Sequence, residues 1–385
     1  MKAPGTAQPR PAARALPADL LAVAEGPSYP KPTITSSSEL GALTKTDSYL
    51  SAGHLEPHTG LSMGAEIQPS PPLVTGQWRP SKAPGTGQTP LLATEIVAVT
   101  RLSKLEYLAG KHRKSVHDFK EELSKGSARD LLLVESHERQ KSTERAIATM
   151  LGVHHLVSRD QVSSEALRSA KLVLSIGGDN HLQYVAQFVE DTPLVGVNSD
   201  PEHSDGVLCS LTFEDLPHFL ERLAQGNYLV EKWARADVET DGMPIGRALC
   251  DIGCGELHFF EMSKHLLNYR GRQDLHKGSG LLIATGAGST GWYSSVRRQS
   301  GALDSSFART SPELRFILRE PYAGRLPANT FPEGDVREGE ELVLESLNDS
   351  QGIVILDSLT KAAFPLGSIM KVKLSEHPLR VLFVN

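Results

Sequence analysis

A glycine-rich turn with one carboxylate is the feature of this sequence with the clearest chemistry. An apolar run at 171–176 stops at Gly177-Gly178-Asp179-Asn180. Such a run predicts a buried strand that leads into a loop where another molecule can approach the backbone. If Asn180 opens a helix, free N–H groups and the positive end of the helix dipole favour a bound phosphate. Asp179 beside that phosphate then has two roles open to it: to help hold Mg²⁺, or to take a proton from an attacking hydroxyl.

A second glycine-rich turn spans 285–292 and follows another short predicted strand. Its Gly286, Gly288 and Gly291 have the spacing of the dinucleotide fingerprint of a Rossmann dehydrogenase. That fingerprint also needs a further strand ending in an acid about 20 residues on, and the stretch 294–304 contains no such apolar strand. The turn is better explained as a nucleotide-contacting loop that offers backbone N–H and hydroxyl groups.

A third polar residue ends a predicted strand after the first turn. The run 193–198 reads as a strand, and Asn198 is its last residue. Because neighbouring parallel strands bring their carboxyl ends to one edge of the sheet, we expect Asn198 near Asp179. Its amide can donate to a ribose hydroxyl or a phosphate. An Asx-type turn into Asp200 and Pro201 explains the residue equally well.

The segments around these turns alternate between strand and helix as far as residue 210. The predicted strands are 95–100, 131–135, 154–157, 171–176 and 193–198, and the predicted helices are 103–125, 139–151, 163–170 and 181–190. This alternation predicts a parallel sheet covered on both faces. Beyond 211, short strands between turn-rich loops predict a β-rich part. We therefore expect a Rossmann-like α/β domain at 91–210 and a β-rich nucleotide-binding domain at 211–385, with a last strand that can belong to either.

Composition excludes several classes of protein. The formal net charge of −6 gives no general attraction to nucleic acid or to anionic membranes. No apolar stretch approaches the roughly 18 residues of a membrane span. The three cysteines, Cys209, Cys250 and Cys254, lack the spacing of a disulfide framework or a zinc site, so reduced thiols are expected. The composition predicts a soluble cytoplasmic protein with no nucleic-acid or membrane partner.

Residues 1–90 differ in composition from the rest of the chain. They contain 14 of the 24 prolines and no sustained helical or strand period. Such a segment cannot bury enough apolar area to offset its ordering entropy, which predicts disorder. Its first residues carry Arg10 and Arg14 and no acid, so a transit peptide, and with it a mitochondrial location, is the alternative to the cytoplasmic one.

The order of four motifs resembles the NAD kinase family. The motifs are Gly177-Gly178-Asp179, Gly196-Val-Asn198, Ala248-Leu-Cys-Asp251 and Thr285-Gly-Ala-Gly288-Ser289-Thr290-Gly-Trp292. The stretches 198–209 and 277–281 are most similar to the divergent mitochondrial-type branch of that family. The similarity covers about residues 94–385.

This resemblance implies two domains with a nucleotide cleft between them, in a homo-oligomer. It implies transfer of a phosphoryl group from Mg-ATP to the 2′-hydroxyl of the adenosine ribose of NAD, with Asp179 as general base. Mg²⁺ would arrive with ATP rather than on protein ligands. The residues implied in nucleotide and phosphate binding are Gly177, Gly178, Asn180, His181, Asn198, Asp251, Thr285, Gly288, Ser289 and Thr290.

The sequence departs from the family pattern at two points. The usual Gly-Thr after the aspartate is Asn180-His181 here, and the usual Asn-Glu pair is Cys250-Asp251, which removes an amide donor to the acceptor. Two alternatives to the NAD kinase hypothesis follow: a kinase of the same fold acting on another hydroxyl, and a catalytically weak nucleotide-binding sensor. The choices between ATP and polyphosphate, and between NAD and NADH, also stay open.

Overall fold

A five-stranded parallel sheet organises the first part of the computed structural model, which describes residues 88–299, 301, 305–325 and 327–384. Numbered along the chain, its strands are β1 Ile96–Thr100, β2 Leu156–Ser158, β3 Leu172–Ile176, β4 Leu194–Asn198 and β5 Leu211–Thr212. They lie in the order β2-β1-β3-β4-β5, and every pairing is parallel. From β1 the chain continues to β2 on one side of β1 and then crosses to β3 on the other side. This reversal of strand order creates a crevice between the carboxyl ends of β1 and β3.

Helices cover both faces of this sheet. The described helices are α1 Lys104–Lys111, α2 Val116–Leu123, α3 Ala128–Leu151, α4 Ser164–Leu167, α5 Asp179–Ala186, α6 Leu216–Ala224 and α7 Trp292–Gln299. Alternate residues of β3 show the two-sided burial: Val173 clusters with Leu182 of α5, whereas Leu174 clusters with Ile147 of α3. Each such side chain contributes about 1.5–3 kcal/mol by leaving water. The predicted parallel sheet with two covered faces is confirmed.

Two predictions for the segment between β1 and β2 are wrong. The apolar run 131–135, predicted as a strand, lies inside the 24-residue helix α3. That helix begins at a capping box in which the Asp130 carboxylate accepts the Ser127 N–H at 2.8 Å. A short apolar run has no period of its own, so the cap before it decides its structure. The predicted helix 103–125 is two helices, α1 and α2, separated where Arg113 adopts a φ of 56°.

The second part of the structure is a stack of antiparallel strands, as predicted. Its strands are β6 Leu229–Trp233, β7 Ala236–Thr240, β8 Met243–Ala248, β9 Asp251–Glu256, β10 Ser263–Tyr269, β11 Arg272–Gly278, β12 Leu281–Ala284, β13 Glu313–Leu318, β14 Glu333–Arg337, β15 Glu341–Ser346, β16 Gly352–Leu356, β17 Thr360–Ala363, β18 Ile369–Leu374 and β19 Leu379–Phe383. One sheet has the order β11-β10-β15-β18-β7-β8, the other the order β14-β13-β12-β9-β16-β17, and β6 pairs with β19. One apolar cluster, including Leu344 and Phe316, joins the two six-stranded sheets.

The last strand and a buried arginine connect the β-rich part to the parallel sheet. Leu382 of β19 belongs to the same apolar cluster as Leu174 and Val197 of the parallel sheet. Arg235 is 2% exposed and donates to the carbonyls of Ala186 and Val189, at the carboxyl end of α5. A cation is favoured there because unpaired carbonyls give that helix end a partial negative charge. The helix that begins at Asp179 is therefore held at its far end by the β-rich part.

The predictions from composition concern the cysteines, membrane spans and residues 1–90. All three cysteines are unpaired, which agrees with the prediction of reduced thiols. Among the described helices, none has the length and apolarity needed to cross a membrane. The predicted disorder of residues 1–90, and the transit-peptide alternative, fall outside the described residues except at 88–90.

Candidate active site

The crevice between the ends of β1 and β3 opens into a large cavity with a volume of about 1640 Å³. Residues at the carboxyl ends of the parallel strands line one side: Arg101 after β1, Arg159 after β2, Gly178 after β3 and Asn198 at the end of β4. Helices α1 and α3 supply much of the rest of the lining. The fold thus brings the first glycine turn and Asn198 to one edge of the sheet.

Asp179 is the first residue of α5, directly after Gly177 and Gly178. Each of its carboxylate oxygens accepts one backbone N–H: Oδ2 from Val207 at 3.0 Å and Oδ1 from Leu208 at 2.8 Å. Two donors hold the carboxylate in one orientation, and each oxygen keeps a lone pair for a further hydrogen bond. The carboxylate is therefore held in one orientation and can still accept a further hydrogen bond.

Asn198 shapes the loop that supplies those two N–H groups. Its Oδ1 accepts the Asp200 N–H at 3.2 Å, which is the Asx-type turn considered from the sequence, and its Nδ2 donates to the Ser204 carbonyl at 2.8 Å. Gly206, with a φ of 57°, passes so close that a Cβ there would lie 2.3 Å from Asn198 Nδ2. One amide hydrogen of Asn198 is left for a ligand.

A cation that the sequence analysis did not identify lies beside Asp179. Arg309 Nη2 donates to the Val207 carbonyl at 2.5 Å, and its guanidinium lies 4.7 Å from the centre of the Trp233 ring. Burial lowers the pKa of Arg309, and the charges of Glu231 and Asp179 oppose that shift. Arg309 is therefore close enough to Asp179 to balance negative charge at this corner.

Two further arginines flank the glycine turn from the side of β1 and β2. The Nε of Arg101 is buried without a hydrogen-bond partner, and a Cβ at Gly177 would lie 3.2 Å from it. Burial and the nearby charge of Arg159 lower the pKa of Arg101. The Arg159 guanidinium lies over the Tyr184 ring at 3.9 Å. Two converging cations, one with an unused donor, make this end of the cavity suited to a polyanion.

The two residues that depart from the family's phosphate loop lie on opposite sides of the turn. His181 is 1% exposed, and its Nε2 lies 3.1 Å from the Val99 carbonyl. Because a carbonyl only accepts, Nε2 carries the hydrogen. Burial lowers the pKa of His181 to about 4, with Arg101 and Arg159 contributing, so the ring is neutral at pH 7. Asn180 is exposed and has no positive φ, so it does not reproduce a left-handed glycine conformation.

The second glycine turn folds against Leu249 and Cys250. Thr285 Oγ1 donates to the Leu249 carbonyl at 2.5 Å, and Ser289 Oγ donates within its own turn to Gly286 at 2.8 Å. Gly288 must be glycine because a Cβ there would lie 2.1 Å from the Cys250 carbonyl oxygen. Thr285 and Ser289 are fully buried, whereas Thr290 and Trp292 are exposed. The accessible hydroxyl of this turn is therefore that of Thr290.

A buried carboxylate organises the turn that carries Asp251. Asp357 accepts N–H groups from Leu249, Cys250 and Asp251 at 2.8, 2.7 and 3.1 Å. Burial and the charge of Asp357 raise the pKa of Asp251 to about 6. Burial also raises the pKa of the Cys250 thiol, and Asp357, Asp251 and Asp179 each add to that shift. The charges of the two predicted site carboxylates, Asp179 and Asp251, thus both act on Cys250.

The predicted site residues therefore fall into three places. Gly178 and Asn198 line the cavity, and His181 lies beneath the first turn. The charges of Asp179 and Asp251 both act on Cys250, against which the turn 285–290 packs. The sequence did carry a signal for Arg101, because this basic residue directly follows an apolar strand, but it carried none for the contacts of Arg309 or Asp357. Within the described ranges, no three His, Cys, Asp or Glu side chains are grouped so as to hold a metal ion.

Comparison with curated proteins finds relatives that are named NAD kinases or NADH kinases. A probable NADH kinase of Oryza sativa subsp. japonica is 27% identical over 231 residues, which cover 52% of this chain and 66% of that protein. The mitochondrial NAD kinase 2 of Homo sapiens is 27% identical over 219 residues, which cover 53% of this chain and 50% of that protein. The chain thus spans between half and two thirds of the length of these relatives. No protein-family model matches it.

Comparison with solved structures addresses the fold. The crystal structure of a yeast NADH kinase complexed with NADH superimposes with a TM-score of 0.54 at 12% identity, covering 77% of this chain and 85% of that one. Its fold agrees with the parallel sheet and β-rich part described above. In its curated relatives, which are named NAD kinases and NADH kinases, and in its fold, the chain is similar to the NAD kinase family.

Proposed function

We propose that this chain transfers the γ-phosphoryl group of Mg-ATP to the 2′-hydroxyl of the adenosine ribose of NAD. The observation that carries the proposal is the position of Asp179. This carboxylate is fixed by two backbone N–H donors, directly follows Gly178 of the cavity lining, and acts through its charge on Cys250. A site that must join a polyphosphate to a hydroxyl needs a proton acceptor at that junction.

The proposed reaction follows from this arrangement. The 2′-hydroxyl gives its proton to Asp179, and its oxygen forms a bond to the γ-phosphorus. The bond between that phosphorus and the β,γ-bridging oxygen breaks, so that ADP leaves and NADP forms. Arg309 lies where it can balance the charge of Asp179 and of the transferring group. Mg²⁺ is treated as part of the Mg-ATP substrate.

The remaining roles follow from the positions of the other predicted site residues. We assign the donor phosphates to Gly177, Gly178 and the exposed Asn180, beside the two arginines of the crevice. We assign the acceptor to Asp251, Thr290 and the free amide hydrogen of Asn198. The neutral, buried His181 supports β1 rather than the phosphates in this assignment.

The direct test is to incubate the purified protein with Mg-ATP and NAD and to follow NADP with an NADP-specific dehydrogenase. NADP that forms in step with ADP supports the proposal, and polyphosphate and NADH are tested in parallel as donor and acceptor. If ATP is consumed only when another hydroxyl compound is present, that compound rather than NAD is the acceptor. Saturable NAD binding without turnover on any donor would favour the sensor hypothesis.

We expect Arg101→Met to raise the KM for Mg-ATP about tenfold, because a hydrogen bond from a guanidinium to phosphate is worth about 1.5–3 kcal/mol. NAD affinity, measured by calorimetry without ATP, should stay within about twofold. Arg145→Met is the matched control, since Arg145 is an exposed arginine of α3 that does not line the cavity. An unchanged KM for ATP in Arg101→Met would remove the arginine crevice from the donor site.

The proposal also gives a pH dependence. Because the pKa of Asp251 is raised to about 6, its carboxylate is protonated as the pH falls through 6 and loses its charge-assisted hydrogen bonds. We expect the KM for NAD to rise below pH 6 and Asp251→Asn to remove the inflection. His181, with a pKa of about 4, contributes none there. Protonation of Asp251 does not itself destabilise the fold, since a raised carboxyl pKa favours the protonated folded state. A KM for NAD that is constant from pH 5 to 8 would contradict this role.

The location and assembly of the protein remain predictions. A cytoplasmic enzyme was expected, with a mitochondrial one as the alternative, and the human relative is named as mitochondrial. We propose a homo-oligomer, as the family resemblance implies. Imaging of the full-length protein fused to a fluorescent protein at its carboxyl terminus tests the first point, and sedimentation analysis tests the second.

A further inference from the structure

We propose that Gln183 supplies the amide that binds the dinucleotide acceptor, and that the Cys250 thiol holds this amide in place. The proposal rests on the function proposed above. Gln183 Nε2 donates to Cys250 Sγ at 3.2 Å. Gln183 lies four residues after Asp179 in α5, so both side chains project from the same face of that helix.

Cys250 itself is not accessible to a dinucleotide. It is 2% exposed and belongs to an apolar cluster with Val185, Leu249 and Ala287. A thiol is also a weak hydrogen-bond partner. Gln183 is half-buried, so it is the member of the pair that a ligand in the cleft can reach. The amide that the family pattern carries at position 250 is therefore present here, but it comes from the helix rather than from the turn before β9.

The hydrogen-bonding capacity of Gln183 fits this role. A glutamine amide has two hydrogens and one oxygen, and the contact with Cys250 uses one hydrogen. The second hydrogen and the oxygen remain for a ligand. Asp179 and Asp251, whose charges both reach Cys250, only accept hydrogen bonds when ionised. A neutral amide beside Cys250 can both donate to and accept from a ribose hydroxyl or a carboxamide without adding charge.

The sulfur contact acts on the orientation of the amide. An N–H···S hydrogen bond at 3.2 Å selects one rotamer of a side chain that otherwise has three free torsions. Holding the amide before the ligand arrives reduces the entropy lost on binding. Gln183 is therefore a specificity-determining residue for the acceptor, and Cys250 is a positioning residue that acts through it.

Gln183→Leu, which keeps the side-chain size and removes the amide, tests the proposal. We expect NAD affinity, measured by calorimetry without ATP, to fall about tenfold, with the KM for NAD rising similarly and the KM for ATP within about twofold. Cys250→Ala should weaken NAD binding because it removes the acceptor of the amide hydrogen, and Cys250→Ser should restore binding because a hydroxyl also accepts that hydrogen. Gln187→Leu is the matched control, since it makes the same change one turn further from Asp179 in a half-buried glutamine.

A rescue experiment separates this role from a structural one. The conservative variant Gln183→Asn keeps an amide on the same face of α5, and we expect it to bind NAD at least threefold more tightly than Gln183→Leu. Unchanged NAD affinity in Gln183→Leu would overturn the proposal, and so would equal losses of NAD and ATP affinity. Melting temperatures of all variants show whether each one is folded.

The outcomes distinguish this proposal from the proposed function. Wild-type protein that binds NAD but forms no NADP, with binding weakened in Gln183→Leu, would overturn the phosphoryl transfer and support the role of Gln183. Wild-type protein that forms NADP at a KM unaffected by Gln183→Leu would overturn the role of Gln183 alone. Wild-type protein that does not bind NAD would overturn both.

Discussion

Asp179→Asn is expected to lower NADP formation by at least about 100-fold, the usual scale for loss of a general base. An amide oxygen cannot take the proton from the 2′-hydroxyl. The asparagine NH₂ must also face one of the two N–H donors, Val207 or Leu208, that now bind the carboxylate. Loss of one such hydrogen bond costs about 1–2 kcal/mol, which is too little to unfold a domain of this size. Initial rates of NADP formation at saturating Mg-ATP and NAD measure the effect.

The matched control for this variant is Asp205→Asn. Asp205 is an exposed carboxylate in the same loop that covers Asp179, and no side-chain hydrogen bond of Asp205 is described. Its substitution removes the same charge and should leave the rate within about twofold. If Asp179→Asn keeps more than a tenth of the wild-type rate while its melting temperature is unchanged, Asp179 is not the base.

Asp357→Ala is expected to destabilise the protein by about 3–5 kcal/mol. Three buried N–H groups, those of Leu249, Cys250 and Asp251, lose their acceptor together. Each buried donor left without a partner costs about 1–3 kcal/mol, and relaxation of the turn recovers part of the sum. The midpoint of urea unfolding measures the loss. Because the charge of Asp357 raises the pKa of Asp251, the milder variant Asp357→Asn should also shift the pH inflection of NAD binding downward.

Asp349→Ala provides the comparison for Asp357. Asp349 pairs with Lys264 at 2.6 Å, but its side chain is 69% exposed, and solvent screens such a pair so that it adds little to stability. Its unfolding midpoint should be close to that of wild type. Equal midpoints for Asp357→Ala and Asp349→Ala would show that the turn before β9 does not depend on the buried carboxylate.

Much of the fold was predictable because its signals are local. Apolar runs of strand length bounded by glycine or polar turns predicted β3, β4 and β12, and the alternation with helices predicted the parallel sheet. The prediction of a strand at 131–135 was wrong for the same reason, since four apolar residues in a row fit a helix as well as a strand. There the capping box at Ser127 and Asp130, rather than the apolar run, indicated the correct element.

Some features of the candidate site could likewise be predicted from the sequence, and others could not. The turn at Gly177–Asp179 could be recognised from the sequence, because glycine at the end of an apolar run and an acid beside it are properties of adjacent residues. The direction of the His181 side chain could not be predicted from the sequence. A histidine at the start of a helix fits equally well against a phosphate or against the Val99 carbonyl of a neighbouring strand. Packing beneath the turn decided between them.

Contacts between distant segments were beyond any reading of local pattern. Gln183 and Cys250 are 67 residues apart, and Asp357 is more than 100 residues from the N–H groups that it accepts. Such pairs meet only when the parallel sheet and the antiparallel sheets have packed together. Residue types and spacing were sufficient to indicate a phosphate-binding turn with a carboxylate. The neighbours of that carboxylate depend on tertiary packing, because which polar groups share a buried space is set by the whole fold and not by the order of residues along one loop.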